Sequence, residues 1–120
     1  MITKGVRGAI TVDENTSEAI EQATLELLSE LISLNHIQKD AISHVIFTLS
    51  NDINATFPAR FARETLGWGR VAMMCFHELD VPDSLKMCLR VLIVLNCRED
   101  FAPEFAYLKG AANLRVNGKR

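Results

Sequence analysis

The chain has 120 residues, 48% of them hydrophobic and 23% charged, with a net charge of −2 at pH 7. The apolar fraction is too high for a disordered chain, and the net charge argues against a strongly basic nucleic-acid binder. At this length one domain buries roughly two-thirds of its unfolded surface, so neither disulfide nor metal is needed for folding.

Residues 2–12 place Ile2, Val6, Ile10 and Val12 among small or polar neighbours, which reads as a strand. Gly5 and Gly8 flank Arg7 there, allowing close approach of backbone or ligand. Asn15 with Glu18 resembles a capping box, and the helix it opens carries apolar residues at 20, 23, 27, 28, 31 and 34. Glu18, Glu21, Glu26 and Glu30 lie mostly opposite and are most simply a solvated face. Asn35-His36 closes the helix, and a short turn is expected around Lys39–Ile42. Val45–Leu49 is a buried strand by composition, followed by a polar loop at Ser50-Asn51-Asp52 and Asn54. Pro58 suits the first position of a helix running to about Leu66, with Gly67 as its stop. Val71–Phe76 and Leu85–Leu95 read as two further strands joined by a turn at Asp80–Ser84. The tail, with Pro103, Gly110 and Gly118, is weakly patterned, and mobility is expected over about 110–120. The order β-α-β-α-β-β plus tail describes a single mixed α/β or α+β domain over 1–120.

Cys75, Cys88 and Cys97 are an odd number without C-x-x-C spacing, and His36, His44 and His77 form no zinc pattern with them. Free thiols in a reducing compartment are expected, with no metal. The N-terminal residues show no long apolar segment before a small-residue cleavage site, and no apolar run is long enough to cross a bilayer. A cytoplasmic protein that binds neither nucleic acid nor membrane is the expectation.

Motifs for nucleophilic or nucleotide chemistry are absent: no G-x-S-x-G elbow, phosphate loop, H-E-x-x-H helix or dinucleotide fingerprint occurs. What remains is arginine. Residues 1–57 carry eight acids and three bases, 58–120 seven acids and ten bases, and eight of the thirteen bases are arginine. The guanidinium fork fits carboxylate or phosphate bidentately, which suggests a small anionic ligand. Arg60 and Arg63 share a helical face near an N-terminus, although spacing alone favours a surface helix with an Arg60–Glu64 pair. Cys75 and Glu78 flank a strand end. Arg90 lies in Cys88–Leu95, otherwise apolar on both faces, where a charge is costly unless paired or turned toward a ligand.

Six segments, in order and at near-constant spacing, then resemble one family. They are Gly5-x-Arg7-Gly8-Ala9, Phe57–Glu64 with Gly67-Trp68, Cys75-x-x-Glu78-x-Asp80-Val81, Cys88-x-Arg90-Val91, Tyr107-Leu108 and Leu114-Arg115. Over nearly its whole length the chain is similar to the monofunctional chorismate mutases of the trimeric, pseudo-α/β-barrel kind. The resemblance implies an α+β (α/β-like) single domain with a mixed sheet and two main helices, assembled as a homotrimer with active sites between subunits. It implies isomerisation of chorismate to prephenate, a Claisen rearrangement on the shikimate route to phenylalanine and tyrosine, without cofactor or metal.

By position, the resemblance makes Arg90 the donor to the substrate's ether oxygen and a carboxylate. Arg7 would bind a carboxylate, with Tyr107 hydrogen-bonding nearby. Glu78 would accept from the ring hydroxyl, with Cys75 close by. Phe57, Ala59, Met73 and Leu114 would shape the pocket, and Arg60, Arg63 and Arg115 would add positive charge at its mouth or on a closing tail. Arg60 stands where the family has Lys, and Met74, left outside this set, where it has Thr. The competing readings are a non-catalytic trimeric module binding a small carboxylate metabolite, and a structural protein whose arginines only bridge subunits.

Overall fold

The computed structural model describes residues 1–114. In chain order it contains β1 (Ile2–Thr11), α1 (Ser17–Asn35), β2 (Ile42–Leu49), α2 (Ala59–Leu66), β3 (Ala72–His77), β4 (Cys88–Cys97) and β5 (Ala106–Leu108). Short 3-10 turns occupy Lys39–Ala41 and Lys109–Ala111. The strands form one mixed sheet in the order β3-β2-β4-β1-β5. Since β1 and β2 both run antiparallel to β4, they are parallel to each other; β3 is parallel to β2, and β5 to β1. Parallel strands need crossovers, which α1 supplies between β1 and β2, and α2 between β2 and β3.

Pleating sorts the side chains onto two faces. Val6 and Ile10 of β1, Val45 and Phe47 of β2, and Leu89, Val91 and Ile93 of β4 are buried on one face. Against them pack Ile20, Ala23, Leu27, Leu28 and Leu31 of α1, and Ala59, Phe61 and Ala62 of α2 with Trp68. Both helices therefore cover the same face, in a two-layer α+β arrangement. The helical stripe of α1 holds through Leu31, but Leu34, expected on it, is 43% exposed. At that end Asn35 turns inward instead, donating from Nδ2 to Leu31 O and Glu104 O and accepting from Glu104 N.

The first helical turn is capped by Thr16, whose hydroxyl accepts from Ala19 N; Asn15 is not the cap. Asn15 ties the helix entry to a distant loop, donating to Asn54 Oδ1 and accepting from the amides of Asn54 and Ala55. β4 begins at Cys88 and not at Leu85, because Met87 adopts a left-handed conformation (φ 51°) that interrupts extended backbone. The Asp52 carboxylate accepts from the Met87 amide at 3.0 Å and fixes that break. The tail also contributes a fifth strand, β5, whose pairing with β1 local composition does not announce. Beyond it, Gly110 N donates to Thr11 Oγ1 at 2.9 Å, holding the following turn against β1.

Gly8 sits where α1 and β5 come closest to β1. A Cβ there would lie 2.9 Å from Leu27 Cδ1, Leu31 Cδ1 and Ala106 O, and the last is backbone that cannot rotate away. Gly8→Ala is expected to destabilise the protein by about 1–3 kcal/mol through overpacking. Urea unfolding measures this as a lowered midpoint, and an unchanged midpoint would show that α1 has room to shift.

Candidate active site

On the sheet face that the helices leave open, register aligns the polar side chains. Arg90 of β4 lies between Ala9 of β1 and Thr48 of β2. Arg7 is opposite Leu92, and Tyr107 of β5 is beside Ala9. Residues directly opposite in a ladder point to the same side, so Arg7, Thr48, Arg90 and Tyr107 rise from one surface. Glu78 joins them from just beyond β3, where its amide donates to Leu49 O at 2.8 Å and extends the β2–β3 ladder past His77. These five side chains, with Ile46 and Leu92, line a cleft of about 220 Å³.

Within it, Glu78 Oε2 accepts from Thr48 Oγ1 at 2.6 Å and lies 3.6 Å from Arg90 Nε. Both members of the ion pair are partly solvated, with side chains 31% and 39% exposed. Arg90 Nε itself is buried and has no hydrogen-bond partner among the described residues. A buried donor left unpaired costs about 1–3 kcal/mol, so the arrangement favours an acceptor oxygen arriving from a ligand. Arg7 is supported from one side, its guanidinium stacked over the Phe105 ring at 5.0 Å from the centroid. One chain's cleft thus combines two guanidinium groups, a carboxylate, a phenol and a threonine hydroxyl on an apolar floor. It can hold a small anion that also carries a hydroxyl.

A second group of expected site residues lies elsewhere, along the β3 edge beside α2. Cys75 faces the helix-covered side, opposite Phe47 in β2. Its thiol is pushed up from the usual range by burial, which outweighs the opposing effects of the Ala59 amide and the Arg63 charge. Burial thus disfavours the thiolate, which is the reactive form of the side chain. Phe57 is 68% exposed and borders, with Cys75, a separate hollow of about 390 Å³ at this edge. Met73 packs partly buried against the main core, and Met74 projects from the open sheet face, beside Ile46. Arg63 is exposed on α2.

The remaining expectations are distributed as follows. Leu114 is buried in a small cluster with Ala9, Cys88 and Ala111, packed by Tyr107, on the open face beside the cleft. Arg60 points along its own helix, pairing with Glu64 at 3.0 Å and stacking on Phe61; within one chain it does not reach the cleft. Arg115 lies outside the described residues. Thr48 and Phe105 were not singled out from the sequence. Thr48 had a readable signal, as the one polar residue in Val45–Leu49, the same anomaly that marked Arg90. Phe105 had none, because its place beside Arg7 depends on β5 pairing with β1. Among the described residues no group of three or more His, Cys, Asp or Glu is placed to hold a metal, and no helix is long and apolar enough to cross a membrane.

Comparison with known proteins identifies the family. A family model for chorismate mutase type I matches residues 3–117. The chain is 41% identical over 116 residues to the chorismate mutase AroH of Thermus thermophilus, covering 95% of this chain and 94% of that one. It is 38% identical over 95 residues to the chorismate mutase AroH of Bacillus subtilis, covering 79% and 75% respectively. Its fold superposes on a chorismate mutase from Clostridium thermocellum with a TM-score of 0.87 at 40% identity, over 92% of this chain and 99% of that one. A match spanning almost the whole chain, with relatives this similar in sequence and structure, leaves one conclusion: the chain belongs to the chorismate mutase type I family.

Proposed function

We propose that this chain is an isomerase that converts chorismate to prephenate, and that the open-face cleft holds the reacting end of the substrate. The observation that carries this is the convergence of Arg7, Glu78, Arg90 and Tyr107 in one cleft, in a chain of this family. The reaction is a unimolecular rearrangement: a C–O bond breaks, a C–C bond forms, and no proton or electron is exchanged with the protein. Catalysis then reduces to holding a chair-like conformer and stabilising the charge that gathers on the ether oxygen as the C–O bond leads. Arg90 is suited to that oxygen and a carboxylate, since its Nε is a buried donor with no hydrogen-bond acceptor among the described residues. Arg7 and Tyr107 suit a carboxylate, and Glu78 suits the ring hydroxyl as acceptor.

Charge supports a composite site. Chorismate carries two carboxylates, whereas the cleft of one chain offers Arg7 and Arg90 against Glu78, a balance of one positive charge. Further cations are needed, and Arg60 and Arg63 do not line the same cleft, while Arg115 lies outside the described residues. The β3-edge group, Phe57, Ala59, Arg63, Met73 and Cys75, would complete the site if supplied by a neighbouring chain. The open sheet face presents Ile46, Met74, Phe76, Leu92 and Val94 around the cleft, an apolar surface suited to being covered. A homotrimer in the cytoplasm, with chorismate bound between subunits, follows as the proposed working form.

Four outcomes test this reading. Purified protein should convert chorismate to prephenate, followed by ultraviolet absorbance; binding without conversion would support the carboxylate-binding module instead. Arg90→Ala should fold normally yet lose at least about 10²–10³ in kcat, the usual effect of one lost oxyanion donor. Citrulline at position 90, neutral but similar in shape, should recover little if charge is what matters. Mixing and co-refolding Arg90→Ala with Arg63→Ala chains should restore activity that neither variant has alone, because some mixed interfaces then carry both intact halves. No restoration, with mixed trimers demonstrated by mass, would refute the shared site.

A further inference from the structure

Resting on the chorismate mutase reading, we propose that Thr48 is a positioning residue that orients Glu78 for substrate. The Glu78 side chain enters the cleft from beyond the end of β3, at the edge of the sheet and partly in solvent. A flexible carboxylate there would lose much of its value, because orienting it at the moment of binding costs side-chain entropy. Thr48 removes that freedom. It stands on β2, between Arg90 of β4 and Phe76 of β3, and its hydroxyl donates to Glu78 Oε2 at 2.6 Å.

Two features make Thr48 more than a neighbour. First, its single hydroxyl proton is committed to Glu78, so it offers the cleft only lone pairs and adds no grip on a substrate carboxylate. Second, Oε2 is occupied by Thr48 and approached by Arg90 Nε at 3.6 Å, whereas Oε1 has no hydrogen bond among the described residues. The carboxylate thereby gains a held oxygen and an open one, and the open one is the acceptor for the substrate's hydroxyl. Thr48 also keeps Oε2 at a distance from Arg90 too long for a hydrogen bond, which leaves Nε available for a substrate oxygen. A β-branched residue suits this task, since χ1 in a strand is restricted and the hydroxyl direction is set by the backbone.

The test uses Thr48→Val, which keeps the branched shape and removes the hydroxyl, and Thr48→Ser, which keeps the hydroxyl. Thr48→Val should lose about ten- to a hundredfold in kcat/KM for chorismate, the equivalent of one hydrogen bond to a charged group. Thr48→Ser should retain most of the parent rate. In a Glu78→Gln background, Thr48→Val should add little further loss. Parental kcat/KM in Thr48→Val, or the same loss in both backgrounds, would overturn the proposal. A crystal structure of Thr48→Val decides it without turnover: a Glu78 carboxylate displaced by more than about 0.5 Å supports positioning, and an unmoved one refutes it. If the parent protein itself leaves chorismate unchanged, the functional reading fails separately, and the crystal structure still decides the role of Thr48.

Discussion

The molecule is organised around a guanidinium held in the middle of a β-sheet. Arg90 occupies a central strand flanked on both sides, where a charge is tolerated only if its neighbours are arranged for it. Glu78 offsets the charge at 3.6 Å, Thr48 holds Glu78, and the backbone bond from Glu78 to Leu49 places both. The requirement is met incompletely, since Arg90 Nε has no hydrogen bond among the described residues. Leaving a strong donor unsatisfied in a rigid sheet is a poor way to gain stability. It is a good way to keep a preorganised electrostatic group ready for charge that develops on a substrate oxygen.

The two faces of the sheet divide the work. One face, covered by α1 and α2, holds most of the apolar core, and the open face carries only a small buried cluster around Ala9 and Leu114. The open face is thereby freed for the cleft and for the apolar residues around it. Gly8 matters to both faces: it lets α1 and β5 approach β1, and β5 brings Tyr107 and Phe105 beside Arg7. A small chain can then present a site without enclosing it, and in the proposed assembly a neighbouring copy supplies the remaining walls.

Much of this was legible in the sequence. The helical stripe of α1, the Pro58–Gly67 bracket of α2 and the strand at 45–49 follow from residue periodicity and terminal preferences. The Arg90 anomaly could be read because a charge inside an apolar strand has few physical explanations. The same logic applied to Thr48, but hydroxyls in strands are common enough that the signal passes unnoticed. The N-cap moved by one residue because both Asn15 and Thr16 can cap, and Asn15 is drawn away by Asn54 and Ala55, some forty positions later. The start of β4 moved to Cys88 because the left-handed turn at Met87 is stabilised by Asp52, again from a distant loop.

What the sequence by itself determined was the fold class, the main elements, and the family to which the ordered motifs belong. These depend on local periodicity and on residue identities in order, and both survive without coordinates. Tertiary structure alone decided which arginines meet. Arg7 and Arg90 are 83 positions apart yet share a face, because β1 and β4 pair antiparallel in one register, and a shift of one residue would turn either away. Arg60 and Arg63, adjacent in sequence to other site motifs, stay on a separate edge of the same chain. Side-chain direction in a sheet is set by pairing between distant strands, and no local pattern carries that information.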